Sequence, residues 1–189
     1  MKRCLLLLLS LALLSLSGCM IETVQDLQSK EETIELYREH RELFAESTKE
    51  LLALWDTEKP HSIDLELQGG VVVCTIYRKK TDRVYLAKEK TVLQSSALLR
   101  LLELPLEHGI SVDEEGIDFQ CDGAGFGSNT AYCGIFYSPT GHLVDLPFYL
   151  PDLNYQQQGD TLIGSAPGND NEVHIQALGA GYFYYYQRY

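Results

Sequence analysis

Gly181-Tyr182-Phe183-Tyr184-Tyr185-Tyr186-Gln187-Arg188-Tyr189 closes the chain, and the fold turns on how this stretch is read. Aromatic residues fit a pleated, half-buried surface, so the segment is expected to be a strand. Strand alternation then puts Tyr182, Tyr184, Tyr186 and Arg188 on one face and Phe183, Tyr185, Gln187 and Tyr189 on the other. One face should bury against helices. The other would be an exposed tyrosine ladder, and Tyr182, Tyr184 and Tyr186 are taken as the candidate binding face, able to stack on sugar rings or meet a protein.

Working back from this strand, short alternating runs at 110–112, 116–121, 130–137, 143–149, 155–163 and 172–188 are separated by Gly, Asn, Asp and Pro, the pattern of a meander. Residues 62–90 add two or three more antiparallel strands, with Lys79-Lys80-Thr81-Asp82 as a hairpin connection. Between 27 and 56 there is no Gly or Pro, and Ile34, Tyr37, Arg41, Phe44, Thr48, Leu51 and Trp55 recur at steps of three and four. That spacing predicts one amphipathic helix over 27–56, about 45 Å long, stopped by Lys59-Pro60. Leu93, Leu98, Leu101 and Leu102 predict a second, short helix ending at Pro105. The expected fold is α+β: a long N-terminal amphipathic helix and a short second helix packed on an antiparallel meander sheet, in a single domain over 27–189.

Charge narrows the partners. The 189 residues carry 15 Lys plus Arg against 27 Asp plus Glu, a formal −12, and neutralising a phosphate backbone needs clustered cations, so nucleic acid is excluded as a partner. The asymmetry along the chain is sharper still. Arg78, Lys79, Lys80, Arg83, Lys88 and Lys90 lie close together, whereas 101–187 contains no Lys or Arg at all and twelve acids.

The N-terminus carries an address. Met1-Lys2-Arg3 is a short cationic segment, 5–16 is an almost unbroken leucine run, and Leu16-Ser17-Gly18-Cys19 follows. The run is shorter than the roughly 20 residues a spanning helix needs, which favours a secretory signal over an anchor helix. Leu16-Ser17-Gly18-Cys19 resembles the lipobox of bacterial lipoproteins. The resemblance implies cleavage after residue 18, lipidation of Cys19, and a linker over 19–26 that tethers the domain to the membrane through its N-terminal lipid. Removing 1–18 takes away Lys2 and Arg3 and no acid, leaving a formal −14 that anionic headgroups repel. The implied location is the outer face of the cell membrane or an outer membrane.

Export permits disulfides. Cys4 leaves with the signal and Cys19 is taken by lipid, so Cys74, Cys121 and Cys133 remain. Cys121 and Cys133 lie symmetrically about Gly127, so a simple hairpin would set them opposite one another, either bridged or, with Cys74, as small buried apolar residues. Asp122-Gly123-Ala124-Gly125-Phe126-Gly127-Ser128 lacks the following helix and the Lys of a phosphate loop and reads as a hairpin. His40, His61, His108, His142 and His174 are scattered without metal-ligand spacing, and the acids at 113–115 and 169–172 read as turns rather than calcium loops. No nucleophile elbow is present, and no catalytic residue, metal or cofactor is assigned.

The lipobox, the Glu-rich helix, Gly134-Ile135-Phe136-Tyr137-Ser138-Pro139 with its following Gly turn, and the closing Tyr-Tyr-Tyr strand resemble small uncharacterised lipoproteins of Gram-positive gut bacteria. The resemblance implies an architecture and a compartment but no activity. The expected function is a surface-tethered, non-enzymatic binding module for an envelope protein or glycan. Two alternatives are an envelope hydrolase using carboxylates such as Asp118, Asp122 or Asp145 in a helix–sheet cleft, and a structural subunit pairing through the N-terminal helix.

Overall fold

A computed structural model of the chain describes residues 27–79, 86–106, 109–126, 129–167 and 171–189. The signal segment with Cys4, Cys19 and its linker lie outside the described residues, as do the 80–85 connection, His108, Gly127 and 168–170. Among the described residues there are ten strands: β1 (Ser62–Gln68), β2 (Val71–Lys79), β3 (Leu86–Leu93), β4 (Ile110–Val112), β5 (Ile117–Phe126), β6 (Asn129–Tyr137), β7 (Asn154–Gln158), β8 (Thr161–Ser165), β9 (Glu172–Gly179) and β10 (Tyr182–Arg188). All belong to one antiparallel sheet in the order β3-β2-β1-β4-β5-β6-β10-β9-β8-β7.

This corrects the expected α+β architecture. Among the described residues strand outweighs helix, and the ten-stranded sheet organises the molecule. The single helix expected over 27–56 is replaced by α1 (Lys30–Glu39) and α2 (Arg41–Glu58), and the third helix, α3, spans only Ser96–Leu102. The break is at His40, whose φ of −114° and ψ of 20° leave the helical region. His40 N–H still donates to the Leu36 carbonyl at 3.2 Å, and Phe44 N–H to that of His40 at 3.0 Å, so His40 keeps both of its backbone bonds as the chain is redirected. A sheet twists, and a straight rod cannot stay seated along it. Two shorter helices can. α1 lies over β6 and β10, whereas α2 packs against α3.

Local chemistry fixes each helix end. Ser29 caps α1 in a reciprocal box with Glu32: Glu32 N–H donates to the serine hydroxyl, and Ser29 N–H donates to the Glu32 carboxylate at 2.9 Å. Ser95 caps α3 by accepting from Leu98 N–H. Lys59, in the left-handed region at φ 43°, ends α2 before Pro60.

Three strand expectations also change. The run at 143–149 is no strand but a 3-10 turn, Leu143–Asp145, and an irregular segment after it. Residues 155–163 are split between β7 and β8 by the left-handed Gly159, and 172–188 between β9 and β10 by Gly179-Ala180-Gly181, all three at positive φ.

The sheet buries a core on each face. On one side α1, α2 and α3 pack on Ile63, Leu65, Ile117, Phe119, Ile135 and Tyr184. Phe44 joins the layers, its ring edge-on to Phe119 at 5.0 Å. On the other side, Leu146, Phe148 and Leu153 from the irregular segment close over Phe136, Phe183, Tyr185, Val173 and Ile175. This second cover spans β6, β10 and β9. Beyond it the outer face carries polar residues such as Ser111 and Glu66, which are exposed.

Candidate functional site

The tyrosine face assigned from sequence is core. Tyr182 is 4% and Tyr184 3% exposed, both against the helices, and Tyr186 is half-buried beside them. Tyr182 donates to Thr48 Oγ1 at 2.8 Å and contacts the Tyr37 ring at 5.0 Å. The alternate face offers no ladder either, because Phe183 and Tyr185 lie beneath the second cover. The cause is topological. β10 is paired with β6 and β9 in the sheet interior, and both of its faces are roofed.

Cys121 does not stand opposite Cys133. Asp122 pairs with Cys133 and Gln120 with Gly134, leaving Cys121 as the extra residue of a β-bulge. The one-residue offset arises because Phe126 pairs with Asn129, so the hairpin centres half a step beyond Gly127. Cys74, Cys121 and Cys133 are buried free thiols. Burial pushes the Cys74 thiol up to about 11 and that of Cys133 to about 12, and Cys121 higher still. All three are therefore held as inert thiols at neutral pH.

The three carboxylates named for a hydrolase do not converge. Asp122 is on the helix side, where it accepts from Gln28 N–H at 2.6 Å just before α1. Asp145 is exposed in the 3-10 turn. Asp118 is on the opposite face of the sheet from Asp122, paired across the strands with Ser111 and Phe136. The apolar stripe of α1 and α2 is likewise spent within the molecule, with Ile34, Tyr37, Phe44 and Leu51 buried. Among the described residues no group of three or more His, Cys, Asp or Glu could hold a metal ion.

Asp118 has a setting that the other acids lack. Ser111, Asp118, Phe136 and Phe183 form one row across β4, β5, β6 and β10, and the second cover ends along it. At that rim a cleft of about 250 Å3 opens, lined by Ser111, Asp113, Asp118, Phe136, Phe148 and Gln187. Tyr185 donates its hydroxyl to Asp118 Oδ1 at 2.8 Å, and Phe148 stacks on the Tyr185 ring at 4.7 Å, so the carboxylate is held by a group that is itself wedged. Burial raises Asp118 to about 7; the Tyr185 hydrogen bond opposes this and the Asp113 charge adds to it. Tyr185 is pushed well above its ordinary value, first by burial and then by the Asp118 charge.

Two features make room for this arrangement. A Cβ at Gly134 would lie 2.6 Å from the Phe119 carbonyl oxygen and 3.0 Å from the Tyr185 ring, so only glycine lets that ring cross β6 to reach Asp118. Asp113 folds the β4–β5 turn around its own carboxylate, whose Oδ1 accepts from Glu115 N–H at 2.9 Å and Gly116 N–H at 3.1 Å. Sequence reasoning had Asp118 among its acids but missed Tyr185, Asp113 and Phe148 as its neighbours. The available signal was an acid flanked by Ile117 and Phe119 in a strand, which places its carboxylate across the sheet from a buried apolar row.

No family model matches the chain, and neither the curated proteins nor the solved structures yield a match.

Proposed function

We propose that the chain is an exported, lipid-anchored binding module of the cell envelope, tethered at Cys19 and engaging its partner through the cleft beside Asp118. The observation that carries the tether is the register of the cationic Met1-Lys2-Arg3, the leucine run and Leu16-Ser17-Gly18-Cys19. Among the described residues no helix is long and apolar enough to cross a membrane, and an N-terminal lipid supplies the attachment that such a helix would otherwise provide. The formal −14 beyond residue 18 keeps the domain off anionic headgroups, which leaves its surfaces free for a partner. The cleft is favoured over other surfaces because it combines a wedged, half-buried carboxylate, a hydroxyl, an amide and two aromatic walls in one concavity.

Intact-mass spectrometry of the protein extracted from its native membrane tests the tether. A chain beginning at Cys19 with a diacyl or triacyl increment is the expected result. A free chain in the medium without that increment would remove the lipid anchor from the proposal.

A further inference from the structure

We infer that the cleft beside Asp118 binds the terminal ammonium of an alkylamine side chain, such as a lysine presented by a partner peptide. This rests on the reading of the cleft as the binding surface, and it specifies the chemistry that the surface selects.

Charge is the first ground. Asp118 and Asp113 both line the cleft, Glu114 and Glu115 stand in the same turn, and among the described residues no Lys or Arg lines it. Among the described residues Asp118 accepts from the Tyr185 hydroxyl alone, through Oδ1 at 2.8 Å. Asp118 forms none of the ion pairs found among the described residues. A carboxylate desolvated without a counter-ion is costly, and an arriving cation would offset that cost. Neutral hydroxyl ligands offer hydrogen bonds but leave the charge unmet.

Shape is the second ground. A volume of about 250 Å3 is smaller than the cavities that enclose a drug-sized molecule, so the cleft takes the end of a chain rather than a whole compact ligand. Phe136 and Phe148 meet edge to face at 5.4 Å and form an apolar wall beside the carboxylates. Methylenes can lie along that wall while the ammonium reaches Asp118, and the ring faces themselves attract a cation. The ammonium carries three donors, matching the Asp118 oxygen that Tyr185 does not occupy, Asp113, and the Ser111 hydroxyl, which donates to Asp64 at 3.2 Å and can still accept.

The experiment uses the mature lipidated protein in detergent, with 13C-labelled aspartate and carboxyl shifts read by NMR. The probes are n-butylamine, n-butanol as its uncharged match, Nα-acetyl-lysine methylamide and N-acetylglucosamine. The amine and the lysine derivative are expected to shift Asp118 saturably in the millimolar range, and the alcohol at least tenfold more weakly. Asp118→Asn, read at the Asp113 carboxyl, should weaken amine binding at least tenfold. Ser111→Lys gives a second check at an exposed strand position, because an ammonium built in across the strand pair should exclude the added one while the fold remains. Equal binding of butanol and butylamine would overturn the inference, and so would undiminished amine binding in the folded Ser111→Lys protein. Binding of butylamine alone would overturn the side-chain assignment. A shift by N-acetylglucosamine without one by the amines would overturn the ligand class and leave the cleft as the binding surface. Silence of all four probes would overturn both.

Discussion

Asp118 ties stability to pH in the opposite sense from most acids. Its native value of about 7 lies above the ordinary aspartate value, so the folded chain holds the proton more tightly than the unfolded one. Its contribution is fully present below about pH 4, falls away as pH rises towards about 7, and is constant above that. Asp118→Asn keeps an acceptor for Tyr185 and removes the charge. The variant is expected to be more stable than the parent by about 1–3 kcal/mol at pH 8 and nearly equal to it at pH 4, read from urea unfolding at both values. An equal difference at the two pH values would mean that the carboxylate is not desolvated. Two columns along the sheet, Tyr184 decides a different question. It is buried against the helices, so Tyr184→Ser should cost about 3–5 kcal/mol through the cavity it leaves, with cleft binding unchanged in whatever fraction remains folded. Loss of binding without loss of stability would instead restore a tyrosine recognition face.

At the scale of elements, α1 acts as a lid whose latch is the Ser29–Glu32 box. It covers β6, where Cys133 Sγ lies 3.7 Å from the Gln28 carbonyl as its weak hydrogen-bond donor. Ser29→Ala removes the cap and should cost about 1 kcal/mol, concentrated in the first turn of α1. Fraying there uncovers Cys133 before anything else, so its alkylation by iodoacetamide should accelerate several-fold while that of Cys74 does not. Equal acceleration at both thiols would place the opening in the whole domain. The helices also mark where sequence reading succeeds and stops. Ile34, Tyr37, Phe44, Thr48 and Leu51 of the expected stripe are buried, because a 3.6-residue period reports which side of a helix faces a core. The break at His40 left no trace, since it needs no Gly or Pro: a single residue leaves the helical region while its backbone bonds persist. The alternation within β10 was likewise legible from Tyr182 to Tyr186, but not its fate. Period two divides a strand into faces and is silent on what lies above each one. That depends on β10 inserting between β6 and β9, a long-range pairing that local pattern does not encode, and so the Tyr185–Asp118 contact could not be read either.

At the scale of the whole molecule, the two cores share their supports. β6 sends Cys133 and Ile135 to the helix side and Phe136 to the other, and β10 sends Tyr182 and Tyr184 one way and Phe183 and Tyr185 the other. Neither core can lose its strands without exposing the other, so unfolding should be a single cooperative transition. The molecule supplies reporters for each side. Trp55, the one tryptophan, packs against the helix-side core, while Tyr185 stacked on Phe148 and Tyr155 stacked on Tyr149 at 4.6 Å belong to the outer one. Tryptophan fluorescence and the assigned ring signals of Tyr185 and Tyr155 in NMR are therefore expected to give coincident urea midpoints. An earlier transition of those two rings would mean that the outer cover detaches as its own unit. In that case the cleft at its rim would open and close independently of the fold, and Asp118→Asn would stabilise only the first of the two transitions.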